Sequence, residues 1–213
     1  MALIFYYGSG SPFAWKVWLT LEHKGIPYEL KVLSFDRDET RAPAFLAVNP
    51  RGQVPAIVDD GFALWESAVI CEYLEERFPE PALLPGDANA RAIARRIAAE
   101  GDGDLYAAVS ALSRMAFSRK EPASPAEIAQ AQQGVMEELA RFEALFVGPH
   151  LAGPLSLADF TAFPHVRLLQ RIEQRQPGNG IAAGRLPPKL RAWVKRIEAL
   201  PCYEKTIPPH WKE

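Results

Sequence analysis

The strongest constraint on the fold is a change of pattern near residue 80. Before it, strand patterns at 3–7, 28–33, 54–58 and 62–65 alternate with helical patterns at 12–24, 40–48 and 67–78. The resulting order, β-α-β-α-β-β-α, requires a small mixed sheet with helices laid on its faces. Beyond residue 80 the strands stop. Pro79, Pro81, Pro85 and Gly86 punctuate a linker at 80–87, and helical patterns follow near 88–119, 125–147, 156–173 and 187–199. The chain is expected to divide into an α/β domain at 1–79 and an all-α domain at 88–213. With 213 residues and 48% hydrophobic content it can bury a substantial core.

Two junctions in the α/β part carry unusual chemistry. The turn-rich segment Asn49-Pro50-Arg51-Gly52-Gln53-Val54-Pro55 leads into the apolar run Ala56-Ile57-Val58. Pro55 has no N–H to give a ladder, so it belongs at a strand entrance or an exposed edge. An ordinary bend would satisfy that. A cis Val54–Pro55 bond would instead turn the Val54 N–H and C=O outward, where another peptide can pair with them. The second junction, Gly8-Ser9-Gly10-Ser11-Pro12-Phe13, joins the first strand to the first helix. Ser11 before Pro12 is a helix opening, with a hydroxyl at the N-cap and proline at N1. Gly-x-Gly here also suggests a dinucleotide fingerprint with Asp36 as the ribose carboxylate. Phe13 stands where the third glycine is needed, however, and the later β-β-α order does not continue a doubly wound sheet. Downstream, Ser156-Leu157-Ala158-Asp159 between Leu155 and Phe160 reads as a capping box with a hydrophobic staple, a folding signal.

Composition removes whole classes of function. A net charge of -2 with both signs interspersed offers no basic stripe, so neither nucleic acid nor an anionic membrane is an expected partner. The N-terminal stretch lacks a basic region and is too short to be a signal peptide, and no segment is long enough to span a bilayer. Cys71 and Cys202 lie far apart inside apolar helical patterns, which points to core thiols in a reducing cytoplasm. The four histidines, His23, His150, His165 and His210, show no metal-ligand spacing, and no metal is expected. No Gly-x-Ser-x-Gly elbow marks a hydrolase.

Four motifs in order, Ser11-Pro12-Phe13, Asn49-Pro50-x-Gly52-x-Val54-Pro55, Glu66-Ser67 before a helix, and Ser156-x-x-Asp159, make the chain resemble the cytosolic glutathione transferases over nearly its whole length. The match is to serine-type members, similar to the tau and zeta classes and to bacterial forms. The resemblance implies a thioredoxin-like N-terminal domain and an all-helical C-terminal domain, a homodimer, and conjugation of glutathione to small apolar electrophiles in detoxification. It makes Val54-Pro55 a cis edge for the cysteinyl backbone of glutathione and puts Ser67 and Glu66 on its γ-glutamyl end. Gln53 and either Arg41 or Arg51 would hold the glycyl carboxylate. Ser11 would donate a hydrogen bond to the thiolate, a serine being too weak a base to remove the proton itself, and it ranks ahead of Tyr7 and then Ser9 because Ser11-Pro12-Phe13 resembles the serine-type pattern more closely than any tyrosine-type one. Phe13, Trp15, Tyr106, Ser110, Arg114 and Phe117 are the expected contacts to the second substrate, and Gly101, Asp102, Gly103 and Asp104 the expected bend in their helix. No cysteine stands between residues 9 and 16, as a cysteine-type member would require. Isomerisation, dehalogenation, disulfide reduction with two glutathiones, and a non-catalytic interaction role remain compatible with the same residues.

Overall fold

A computed structural model of the chain describes residues 3–117 and 122–211. They form two compact units. One comprises residues up to Ala82 together with those from Pro201 onward, and the other is Leu83–Leu200.

The first unit carries a four-stranded sheet in the order β2-β1-β3-β4, made by β1 (Leu3–Gly8), β2 (Glu29–Leu33), β3 (Ala56–Asp59) and β4 (Phe62–Trp65). β1 runs parallel to β2 and antiparallel to β3, and β3 and β4 form a hairpin. The β1–β2 connection is α1 (Pro12–Lys24), so the parallel pair has the crossover that it needs. α1 starts where the sequence says it should: Ser11 is extended, its Oγ accepts from the Ala14 N–H at 3.2 Å, and Pro12 opens the helix. It ends at Gly25, whose φ of 63° lets its N–H reach back to the carbonyls of Leu21 and Glu22. The helix expected at 40–48 is shorter and split. Pro43 drives Ala42 into extended geometry (φ -62°, ψ 139°), which separates a 3-10 turn at Glu39–Arg41 from α2 at Pro43–Leu46. β3 likewise begins at Ala56 and not at 54, because Pro55 cannot donate to the ladder. α3 (Ser67–Arg77) completes the expected β-α-β-α-β-β-α order.

Buried polar groups fasten this unit. The Lys24 ammonium donates to the carbonyls of Phe78 at 2.7 Å and Pro81 at 2.9 Å and pairs with Glu75 at 2.7 Å. It thereby ties the end of α1 to the end of α3 and the chain that leaves it.

The second unit is helical: α4 (Ala88–Glu100), α5 (Tyr106–Phe117), α6 (Pro125–Leu145), α7 (Leu157–Arg175) and α8 (Pro188–Glu198). The last two residues of the helix expected at 88–119 lie outside the described residues. Its α-helical pattern is interrupted at the glycines, where a bend was expected: Gly101–Leu105 form a π-helical turn between α4 and α5. Gly101 there faces α7 so closely that a Cβ would lie 3.2 Å from Thr161 Cγ2. α7 is the buried centre of the unit. At its start the Asp159 carboxylate accepts from the Ser156 N–H (2.9 Å), the Ser156 hydroxyl (3.0 Å), the Leu151 N–H (3.0 Å) and the Trp193 indole (2.8 Å). The capping box expected from Ser156 and Asp159 thus also holds a loop and α8.

The end of the chain differs from expectation. Residues 201–213 were expected to belong with the helical domain; of these, 212 and 213 lie outside the described residues. Instead α9 (Pro201–Thr206) and a 3-10 turn at Pro209–Trp211 pack in the first unit, against α1. The fully buried Trp15 is the anchor: its indole donates to Thr206 Oγ1 at 3.1 Å, its ring stacks on Tyr203, and Trp211 meets it edge-on at 5.0 Å. Lys205 also pairs with Glu22 of α1 at 3.2 Å.

Candidate active site

The register of the sheet brings three junctions to one end. Ala56, the first residue of β3, is paired with Tyr6 near the end of β1 on one side and with Trp65, the last residue of β4, on the other. The chain entering β3 (Gln53-Val54-Pro55), the turn leaving β1 (Gly8 to Ser11) and the entry to α3 (Glu66-Ser67) are therefore neighbours. Gly8 shows how close the first two are: a Cβ there would lie 2.8 Å from Val54 Cγ2 and 2.5 Å from Phe35 Cζ.

At the first junction the Val54–Pro55 bond is cis. Neither backbone polar group of Val54 has a hydrogen-bond partner among the described residues. The approach to this edge is rigid. Buried Asn49 donates to the Gln53 carbonyl at 2.6 Å and accepts from the Arg51 N–H at 3.0 Å. Gly52, at φ 61°, sits so tightly that a Cβ would be 2.7 Å from the Thr40 carbonyl. The sequence signals no role for Asn49, yet its side-chain amide locks the segment. Arg41 lies along this turn, with Nη1 donating to the Arg51 carbonyl at 3.3 Å, and its other donors remain at the surface.

At the second junction Ser11 spends a lone pair on the Ala14 N–H and keeps its hydroxyl proton for another acceptor. At the third, Glu66 adopts φ 71° and ψ 107°, a backbone state that a side-chain-bearing residue seldom takes. No side chain caps α3, so the N–H groups of its first turn are open, with Ser67 beside them. Among the described residues the sheet end therefore presents an unpaired strand edge, an anion-seeking helix start and a hydroxyl donor. That combination can hold a short peptide with a carboxylate at one end and a polarisable atom near Ser11.

The competing donors are placed differently. Tyr7 is fully buried against Trp18, with ring centroids 4.7 Å apart. Ser9 and the Gly10 backbone approach its hydroxyl without giving it a bond of ordinary geometry, and burial pushes its pKa up to about 12. Tyr6 faces the other way, onto Phe45 of α2. Ser9 Oγ is hydrogen-bonded to His210 Nδ1 at 2.6 Å.

The expected second-substrate residues separate as well. Phe13 is partly exposed in the first turn of α1, under the Lys16 ammonium at 5.7 Å. Trp15, expected to meet substrate, is instead only 1% exposed and committed to α9, because an indole this large in the first turns of α1 is the surface on which the returning chain packs. In the second unit, Arg114 and Phe117 are exposed on α5 and Tyr106 is partly so. Ser110 is buried, donating to the Ala107 carbonyl at 3.0 Å and accepting from Arg114 Nη1 at 3.1 Å. Tyr106 packs on His165 at 5.4 Å, and His165 lies 3.6 Å from Asp102 in the π turn. Neither cysteine is poised for chemistry: Cys71 Sγ lies 3.6 Å from Thr20 Oγ1 inside the core, and burial pushes Cys202 up to about 11. No helix among the described residues is long and apolar enough to cross a membrane.

Comparison with known proteins matches both units. Residues 10–77 match the glutathione S-transferase N-terminal domain, and residues 125–196 match the glutathione S-transferase C-terminal domain. Glutathione S-transferase A of Pleuronectes platessa is 30% identical over 97% of this chain and 92% of its own length. A maleylacetoacetate isomerase of Pseudomonas aeruginosa is 47% identical over 109 residues, half of this chain and half of that protein. The crystal structure of a glutathione S-transferase from the Antarctic clam Laternula elliptica superposes with a TM-score of 0.87 at 31% identity, over 100% of this chain and 95% of that one.

Proposed function

The chain belongs to the glutathione S-transferase family, and from that premise we propose that it binds glutathione at the sheet end described above and directs its thiolate onto a small electrophile. The observation that carries this reading is the unpaired backbone of Val54 beside the Ser11 hydroxyl and the open start of α3. When bound, glutathione supplies the nucleophilic sulfur.

The protein's part is to hold and polarise. Val54 pairs with the peptide as an added strand. Ser67 and the first-turn N–H groups of α3 take the γ-glutamyl carboxylate, Glu66 takes the ammonium beside it, and Gln53 and Arg41 meet the glycyl carboxylate. Ser11 donates its proton to the sulfur. Lowering a thiol pKa from about 8.5 to about 6.5 requires roughly 2.7 kcal/mol. A hydrogen bond to a charged acceptor contributes about 1.5–3 kcal/mol, and the start of α1 about 0.3–1 kcal/mol more. The two together suffice, with no protein base needed. The shift must stay moderate, because a thiolate of very low pKa is a poor nucleophile. The family's members are commonly paired, and we take the working form to be a homodimer.

A second reading has a specific observation in its favour. The 47% identity to a maleylacetoacetate isomerase falls on half of the chain, and isomerisation uses the same thiolate, added to an unsaturated acid and then expelled. Stoichiometry separates the two: conjugation consumes glutathione, isomerisation returns it. The binding reading itself is tested by titrating thiolate absorbance near 240 nm for bound glutathione. A thiol pKa well below that of free glutathione is expected, and an unshifted pKa overturns the proposal.

A further inference from the structure

The Gly8 to Ser11 turn, on which the proposed thiol chemistry depends, is held at both ends: Gly8 is packed against Phe35 and Val54, and Ser11 caps α1. Between them Ser9 and Gly10 bring little bulk of their own, and Gly10 sits at φ 92°, which only glycine adopts without strain. Inside the turn the Ser11 N–H donates to the Gly8 carbonyl at 3.1 Å. Its middle is tied to a distant part of the chain by Ser9 Oγ to His210 Nδ1 at 2.6 Å, spanning 201 residues. The imidazole also lies across Gly10: a Cβ there would be 3.2 Å from His210 Cε1 and 3.5 Å from Nε2. It therefore covers the residue between Ser9 and Ser11.

Other residues also anchor the segment that carries His210. Trp211, edge-on to Trp15, and Thr206, accepting from the Trp15 indole, hold α9 and the following turn on α1, and the His210 imidazole faces the thiol turn. Trp211 further donates its N–H to the Pro208 carbonyl at 2.8 Å, which fixes the 3-10 turn that presents His210.

We propose that His210 is a positioning residue for the thiol site: through Ser9 and across Gly10 it fixes the turn that aims the Ser11 hydroxyl. The inference rests on the glutathione reading above. A donor that must meet a sulfur within a few tenths of an ångström gains from any contact that removes slack from its loop, and Ser9–His210 is such a contact. Ser9, ranked by sequence as a possible thiol donor, is on this account occupied by His210 and acts one step removed.

The test uses the full chain with Ser9→Ala, His210→Leu, the double variant and His210→Asn. For each, the thiol pKa of bound glutathione is read by absorbance, with glutathione affinity and melting temperature measured alongside. Each single variant is expected to raise the thiol pKa and to lower kcat by about threefold to tenfold, the effect of losing one hydrogen bond, with affinity little changed. The double variant is expected to be no worse than either single one, because both remove the same bond. His210→Asn, whose amide can reach Ser9, recovers part of the shift. A wild-type thiol pKa that is lowered and stays lowered in both single variants overturns this inference alone. So do additive losses in the double variant, or a fall in melting temperature with the thiol pKa intact. A wild type that never lowers the thiol pKa overturns the glutathione reading and this inference with it.

Discussion

Ser11 and Tyr7 stand four residues apart at the end of one strand, and their surroundings give them opposite fates. Ser11 is half-exposed with a proton to donate, whereas Tyr7 is enclosed with a hydroxyl that lacks a partner among the described residues. Ser11→Ala is expected to raise the bound thiol pKa by about one to two units, the size of the lost charge-assisted hydrogen bond, with little change in glutathione affinity. Absorbance titration of the variant checks it, and an unchanged pKa would remove Ser11 from the mechanism. Tyr7→Phe should leave the thiol pKa alone and stabilise the fold by about 1 kcal/mol, because it deletes a buried polar group that forms no bond of ordinary geometry. Urea unfolding at neutral pH measures this. Tyr7 also has a signature in alkali. Its folded pKa lies above its unfolded value of 10.0, so the folded state keeps the proton longer, and stability present below pH 10 falls as the pH rises towards 12. Tyr7→Phe should flatten that decline; an equal slope in both proteins would show that the phenol does not remain protonated in the core. At this scale the sequence makes legible the residues whose placement is decided locally. Ser11 declared itself through the N-cap and Pro12, and Val54 through the proline after it. His210 did not, because no spacing rule links residues 201 positions apart.

Elements were legible wherever local chemistry decides them, and blurred where a proline or a tertiary contact intervenes. α1 was read to the residue, since Ser11-Pro12 opens it and Gly25 closes it. α2 was read too long because Pro43 breaks the pattern from inside. α9 was missed, since six residues have no helical stability of their own and form here on the surface that Trp15 provides. The capping box of α7 was read correctly as a folding device, but the sequence could not reveal that the Asp159 carboxylate would also collect the Leu151 N–H and the Trp193 indole. Burial pushes the Asp159 carboxyl up, against four donors that favour its charge. Asp159→Ala should therefore cost about 3 kcal/mol or more, because it strands several buried donors at once. Denaturant unfolding of the variant is the check, and a loss under 1 kcal/mol would mean that water takes over the carboxylate's bonds.

At the scale of the molecule, the order of elements in the first 79 residues and the helices after them were readable because periodicity changes from mixed to purely helical at the proline-rich linker. What periodicity cannot express is return. The chain leaves the α/β unit after Ala82, forms α4 to α8 among the described residues, and re-enters it at Pro201. A chain ending at Leu200 is expected to keep both sets of helices and strands but to expose Trp15, with a melting temperature lower by several degrees for each ~1 kcal/mol of packing removed. Tryptophan fluorescence shifted to the red would report that exposure, and an unshifted spectrum would show that α9 contributes no cover.

This return sets an order of events during protein synthesis. Ser9 and Ser11 emerge from the ribosome early, while the imidazole that clasps their turn is still 201 residues away on the messenger. All four strands and the open start of α3 lie within the first 67 residues, whereas the Ser9–His210 bond cannot form until the segment carrying Trp211 has been made and has met Trp15. A chain that stops before His210 would carry every residue of the proposed peptide-binding edge and lack the imidazole that, on the inference above, aims it.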